Sequence, residues 1–237
     1  MNSRDTPEIA RQRLIVALDF PDRAEAVNCS AELAGEVGWF KIGLQLYTAE
    51  GPQIVREIAQ TGAGIFLDLK LHDIPTTVAK AVAAAASLGV RMLTVHLSGG
   101  RAMLEAAVAA TPPGLLLLGV TVLTSSNEET LRETGVHSTA EDQTLRLARL
   151  GAAAGIGGLI ASPHEARALR AELGSEIKIV TPGVRPSWAA ADDQQRFTTP
   201  REAIANGADY LVIGRPVTGQ SDRRTAIRRI LSEIAGS

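Results

Sequence analysis

Only one cysteine, Cys29, occurs in the 237 residues. An internal disulfide and a multi-cysteine zinc site are therefore excluded. Aromatic residues make up just 3% of a chain that is 45% hydrophobic, so its interior must be built mainly from aliphatic side chains. No charge excess of either sign exists: Lys and Arg number 24 against 26 for Asp and Glu, a net charge of −2. That balance argues against general affinity for nucleic acid. Long apolar runs are missing too. The stretch Leu115–Leu118 reaches only Leu123 when Gly119 and Thr121 are admitted, well short of the ~20 residues a membrane span needs. The first residues, Met1 to Arg13, are charged and carry no apolar core of a signal peptide, which points to the cytoplasm. Low-complexity tracts, linkers and breaks in composition are absent, so residues 1–237 are expected to form a single domain.

What is present is a repeated alternation. Eight short apolar runs recur: Arg13–Leu18, Trp39–Gly43, Ile65–Lys70, Arg91–His96, Leu115–Leu123, Gly157–Ala161, Ile177–Thr181 and Tyr210–Gly214. They are nearly continuous in apolar character, which fits strands covered on both faces in a parallel sheet. Between them lie alanine-rich segments with helical spacing, among them Ala24–Val37, Thr77–Leu88 and Glu141–Ala154. Strands alternating with helices over this length match the (β/α)8 TIM barrel, an α/β fold. An open doubly wound sheet usually shows Gly-x-Gly-x-x-Gly after its first strand. Here the first strand leads into Asp19-Phe20-Pro21-Asp22, without glycine. The barrel is favoured.

A barrel gathers its functional side chains where strands end. Those positions hold Asp19, Lys41, Asp68, Lys70, His96, Thr124, Arg185 and Arg215. The densest cluster is Asp68-Leu69-Lys70-Leu71-His72-Asp73-Ile74-Pro75-Thr76-Thr77. Strand alternation puts Asp68 and Lys70 on one face. Carboxylates on either side of Lys70 favour the ammonium, which suits a proton donor and opposes Schiff-base chemistry. Asp19 and Lys41 on neighbouring strands extend this into an array of alternating sign. A structural ion pair at the barrel rim is the plainer alternative. After the eighth strand, Gly214-Arg215-Pro216-Val217-Thr218 offers backbone N–H groups and a guanidinium, a cradle for phosphate. The polar segment after Arg185, running to about Thr199, is long for a βα loop and reads as a lid or binding segment. His96 either lines the pocket or is a satisfied rim histidine. No histidine spacing suggests a metal site. The arginines of the final helix, Arg223, Arg224, Arg228 and Arg229, read as a solvated face.

The segments Leu18-Asp19, Lys41-Ile42-Gly43, Asp68 to Thr77, Val120-Thr121-Val122-Leu123-Thr124-Ser125, Thr181-Pro182-Gly183-Val184-Arg185-Pro186, Asp192-Asp193-Gln194 and Gly214 to Thr218 closely resemble the orotidine 5'-phosphate decarboxylase family of the bacterial type. The resemblance runs from the first strand to the last. Leu97 is a mild departure, since relatives often carry alanine before Ser98-Gly99-Gly100. The resemblance implies a lyase without cofactor or metal, converting orotidine 5'-monophosphate to uridine 5'-monophosphate and CO2. It implies Lys70 as proton donor to the pyrimidine carbon and Asp68 as the carboxylate set against the departing group. Asp73, Ile74 and Thr77 are implied to reach the site of a partner subunit in a homodimer. Asp19 and Lys41 would hold ribose hydroxyls, with Lys41 completing the charged network. Thr124 and Ser125 would recognise the pyrimidine, and Arg185, Gln194, Gly214 and Arg215 would serve the phosphate and lid. Two rivals remain open. One is a keto-sugar-phosphate decarboxylase or isomerase that uses the same carboxylates to hold magnesium. The other is a non-catalytic sensor of phosphorylated ligands.

Overall fold

The computed structural model describes residues 7–189 and 198–236. Eight parallel strands close into a barrel in chain order, with β8 returning to pair with β1. They are β1 (Leu14–Ala17), β2 (Trp39–Gly43), β3 (Gly64–Leu71), β4 (Met92–His96), β5 (Leu116–Val120), β6 (Gly158–Ile160), β7 (Lys178–Thr181) and β8 (Tyr210–Ile213). Each apolar run coincides with one strand, so the expected (β/α)8 barrel is borne out. Residues 121–123, expected to extend the fifth strand, leave the ladder instead. Their neighbour β6 ends at Ile160, and the Thr121 hydroxyl donates to the Ile160 carbonyl at 2.9 Å, closing the pairing there.

Helices surround this barrel. The first half of the chain supplies α1 (Pro7–Arg13), α2 (Arg23–Glu32), α3 (Leu44–Glu50), α4 (Pro52–Ala59), α5 (Pro75–Ala86) and α6 (Arg101–Ala109). The second half supplies α7 (Glu128–Glu133), α8 (Ala140–Ala153), α9 (Ala166–Leu173), α10 (Pro200–Ala205), α11 (Arg215–Thr218) and α12 (Arg223–Ala235). The three helices expected from alanine spacing are α2, α5 and α8. The first is shorter than its pattern: it ends at Glu32, and the turn that follows passes through Gly35 at φ +80°. The last two begin one or two residues early, where Pro75 and the cap Thr139 set the start.

Alternation along the strands makes two apolar layers. Leu14, Val16, Phe40, Leu67, Leu93 and Ile213 face outward to the helices, in the main core. Ile15, Ala17, Trp39, Phe66, Met92, Leu118, Val180 and Val212 fill the barrel interior. Near the N-terminal ends of the strands, Trp39 and Tyr210 meet edge to face, with ring centroids 5.8 Å apart. Gly64 lies against that indole so closely that any Cβ would overlap it. The interior is therefore plugged at one end and open at the other.

Arg224, Arg228 and Arg229 of the final helix are exposed, the solvated face expected of them, and Arg223 is half-buried. Arg223 pairs with Glu32 at 2.7 Å and donates to the Thr218 carbonyl, and Arg229 stacks 4.3 Å from the centre of the Trp188 ring. These arginines tie α12 to neighbouring elements.

Candidate active site

The open end of the barrel holds a cavity of about 390 Å³. That volume lies in the range of small-molecule sites. Period 2 explains its floor: Ala17, Phe66 and Val212 point inward two residues before Asp19, Asp68 and Gly214, so an apolar layer lies directly beneath the polar rim. Together with Ile160 these residues were not singled out from the sequence, although counting back two positions from each polar strand end finds the first three. Around the rim the fold brings together Asp19, Lys41, Asp68, Lys70, Thr124, Arg185, Gly214 and Arg215.

Four expected site residues do not line this cavity within one chain: Asp73, Ile74, Thr77 and Ser125 are all exposed. Asp73 turns back on its own backbone, accepting the Ile74 N–H at 2.6 Å, and Ile74 leaves 64% of its surface to solvent. Gln194 lies outside the described residues.

Charge alternates across the rim. The Lys41 ammonium donates to Asp19 Oδ1 at 2.9 Å and stands 3.8 Å from Asp68 Oδ2. Lys70 Nζ lies 2.8 Å from both oxygens of Asp68. The Asp68 side chain is only 13% exposed, and besides these ammonium groups it accepts from the Thr94 hydroxyl at Oδ1, 3.0 Å away. Gly43, at the end of β2, makes room for the array. A Cβ there would stand 3.0 Å from Lys41 Nζ and 3.3 Å from Asp19 Oδ1.

Local backbone shapes the centre of the array. Lys70 has φ +52°, the only positive value at a non-glycine position among the described residues. Such a conformation costs about 1–3 kcal/mol and persists only where the surroundings impose it. Here β3 bulges against β4: Leu67 pairs with Leu93 and Leu71 with Val95, so residues 68–70 face the single residue Thr94. The Lys70 backbone N–H, displaced from the ladder, donates to Thr94 Oγ1 at 2.8 Å.

His96 does not line the cavity. It is half-buried, its ring centre 5.7 Å from that of His72. Burial above all holds its imidazole below the usual histidine range; His72 and Lys70 act in the same direction and Asp68 opposes them. Among the described residues no group of three or more His, Cys, Asp or Glu side chains could hold a metal ion.

The opposite wall carries the arginines. Gly183, at φ +77°, turns the chain out of β7. A bridge between Val184 and Thr198, with the Arg185 N–H donating to the Thr198 carbonyl at 3.1 Å, ties together the two ends of the long segment. Arg215 opens α11 directly after β8, with Pro216 behind it. Lys41, Lys70, Arg185 and Arg215 thus line one cavity from the ends of different strands, an arrangement suited to a ligand with an anionic tail and a reacting centre several ångströms away.

Comparison with known proteins agrees with this geometry. Residues 12–230 match the Orotidine 5'-phosphate decarboxylase / HUMPS family. Orotidine 5'-phosphate decarboxylase of Syntrophotalea carbinolica is 51% identical across 96% of this chain and 97% of its own length. The enzyme of that name from Opitutus terrae is 52% identical across 93% and 97%. The crystal structure of orotidine 5'-phosphate decarboxylase from Lactobacillus acidophilus superposes with a TM-score of 0.81 at 35% identity, covering 93% of this chain and 98% of that one. A match over nearly the whole barrel, at about half identity, places the chain in the orotidine 5'-phosphate decarboxylase / HUMPS family.

Proposed function

We propose that this protein is a carboxy-lyase of pyrimidine nucleotide synthesis, converting orotidine 5'-monophosphate to uridine 5'-monophosphate and CO2 without a cofactor, with Lys70 as the acid. One observation carries the reading: Lys70 with Asp68, and Arg185 with Arg215, line a single cavity. A nucleotide monophosphate has the matching chemistry, a carboxylated base at one end and a phosphate dianion at the other.

In the reaction the bond between the pyrimidine C6 and its carboxylate breaks, and the electron pair stays on C6. A proton from Lys70 Nζ forms the new C–H bond, and the amine regains its proton from water. The developing carbanion has no conjugated electron sink, so electrostatic stabilisation must come from the protein. An ammonium held beside C6 interacts more strongly as negative charge moves onto that carbon, which is selective for the transition state. One charge pair at 4 Å and an effective dielectric near 20 contributes about 4 kcal/mol, against the roughly 8–23 kcal/mol enzymes commonly remove. The remainder comes from the wider charged array, from exclusion of water and from binding energy at the distant phosphate. Asp19 and Lys41 take the ribose hydroxyls and Thr124 the base. Arg185, Gln194, Gly214 and Arg215 take the phosphate.

The working unit in this reading is a homodimer. Asp73, Ile74 and Thr77 stand outside their own chain's cavity, and a large apolar side chain exposed beside a carboxylate at the rim supports their serving a second copy. The substrate is a charged, membrane-impermeant nucleotide, which supports a cytoplasmic location.

The test is turnover of orotidine monophosphate by the purified protein, followed as loss of its ultraviolet absorbance with and without EDTA. Conversion unaffected by chelator is expected. Conversion abolished by EDTA would indicate a metal-dependent reaction, and tight binding without conversion would indicate a sensor.

A further inference from the structure

We propose that the buried hydroxyl of Thr94 is a positioning device for the reacting centre: it holds Lys70 in its left-handed backbone conformation and fixes the Asp68 carboxylate beside it. The proposal rests on the decarboxylase reading for its kinetic consequence, but its structural content stands apart from that reading.

Thr94 is fully buried in β4 and does not line the cavity. Its neighbours Leu93 and Val95 point outward into the main core, so Thr94 points into the barrel, below the level of the ammonium groups. An apolar side chain is the usual occupant of such a position, as Met92 is one step earlier on the same face. A buried hydroxyl there needs partners. It finds two, and both belong to the proposed reacting pair: it accepts from the Lys70 backbone N–H at 2.8 Å and donates to Asp68 Oδ1 at 3.0 Å.

The bulge explains why this hydroxyl is required. With residues 68–70 opposed by one residue of β4, a backbone N–H on the bulged strand loses its ladder acceptor. Thr94 Oγ1 supplies the missing acceptor from a side chain. Because a hydroxyl has one proton, accepting from Lys70 leaves that proton free for a carboxylate, and Asp68 receives it. One group therefore sets two coordinates: the backbone from which the lysine chain departs, and the rotation of the carboxylate that receives its ammonium at 2.8 Å. Without the hydroxyl, the Lys70 N–H and Asp68 Oδ1 each lose a partner, and the conformation at φ +52° is left to the strand pairing on either side of the bulge.

Three variants separate hydroxyl from shape. Thr94→Val keeps the volume and removes the hydrogen bonds, Thr94→Ser keeps the hydroxyl and removes a methyl, and Thr94→Ala removes both. On orotidine monophosphate, Thr94→Val should lower kcat by about 10- to 100-fold with KM within about threefold, the scale expected when a catalytic group is misplaced by up to an ångström. Thr94→Ser should stay within about threefold of the parent. Equal impairment of Ser and Val variants would assign the residue to packing and overturn the proposal, as would a Val variant with normal kcat. Should Thr94→Val fail to fold, the Ala and Ser variants make the same comparison. Crystal structures of the variants give a readout independent of turnover. Lys70 leaving the left-handed region in Thr94→Val or Thr94→Ala, but not in Thr94→Ser, is expected. An unmoved Lys70 and Asp68 without the hydroxyl would overturn the proposal even if the unsubstituted protein proved inactive on this nucleotide, an outcome that would separately defeat the decarboxylase reading.

Discussion

Lys70 Nζ lies 2.8 Å from both oxygens of Asp68, a residue two positions earlier on the same strand. Both residues belong to the bulge of β3, where residues 68–70 face the single residue Thr94, so the lysine reaches a carboxylate of its own strand across a distorted turn of backbone rather than a regular pleat. The pair is internal to one strand of a closed barrel.

Removing the ammonium should therefore remove chemistry without removing the fold. Lys70 is about one-third exposed, and its loss leaves Asp68 with the Thr94 hydroxyl at 3.0 Å and Lys41 at 3.8 Å. Lys70→Ala is expected to lower kcat by roughly 10³-fold or more, the equivalent of one charge pair of about 4 kcal/mol. Thermal melting should stay within a few degrees. Turnover within tenfold of the parent would remove Lys70 from the role of acid.

Gly43 tests how closely the array is fitted. A methyl at this position would crowd Lys41 Nζ and Asp19 Oδ1 at 3.0 and 3.3 Å. The ammonium is the free end of a flexible chain, so it yields by a few tenths of an ångström and stability changes little. Gly43→Ala should lower kcat/KM about tenfold at unchanged melting temperature, because displacements of this size already cost rate. Unchanged kinetics would show that Lys41 has slack.

The contrast between strands and site explains what could be read from residues alone. Parallel strands covered on both faces are continuous apolar runs, so Trp39–Gly43 or Tyr210–Ile213 are visible without their partners. Polar residues closing those runs, such as Lys41 and Asp68, stand out against them. Thr94 does not, because Leu93-Thr94-Val95 is an ordinary β-branched strand pattern and the three-to-one pairing beside it depends on two strands at once. The positive φ of Lys70 is invisible for the same reason: lysine carries no local preference for it. Helix ends were less legible: alanine spacing set the starts of α5 and α8 two residues and one residue late, because Pro75 and the cap Thr139 lie outside that pattern, and it ran α2 on past Glu32 into the turn through Gly35.

Subunit sharing has a quantitative signature. If Asp73 serves the cavity of a partner, Lys70→Ala and Asp73→Ala dimers are each inactive through different halves of the site. Random exchange of equal amounts gives half mixed dimers, each with one site carrying both lesions and one carrying none. About a quarter of the parental activity should return after exchange. Proven exchange with no recovery would mean that each site is built within one chain, and Asp73, exposed beside Ile74, would then act only on its own backbone.

The lone thiol predicts an alkaline limit to stability. Cys29 is fully buried on α2. Burial pushes its pKa from the ordinary 9.0 up to about 11, with Arg223 opposing the rise and Glu32 adding to it. Below pH 9 the thiol is protonated whether the chain is folded or not, and its contribution to stability is constant. Between pH 9 and 11 the unfolded chain releases the proton while the folded one keeps it, so folding loses free energy as pH rises, by at most about 1.4 kcal/mol per pH unit. Tyr210, also raised mainly by burial, acts with the same sign in the alkaline range. Comparing the parent with Cys29→Ala isolates the thiol. Urea unfolding from pH 8 to 11 should give a shallower decline for the variant, on top of a pH-independent loss from the small cavity. Parallel curves would mean that water or backbone motion reaches the thiol, and that α2 covers it less completely than its burial indicates.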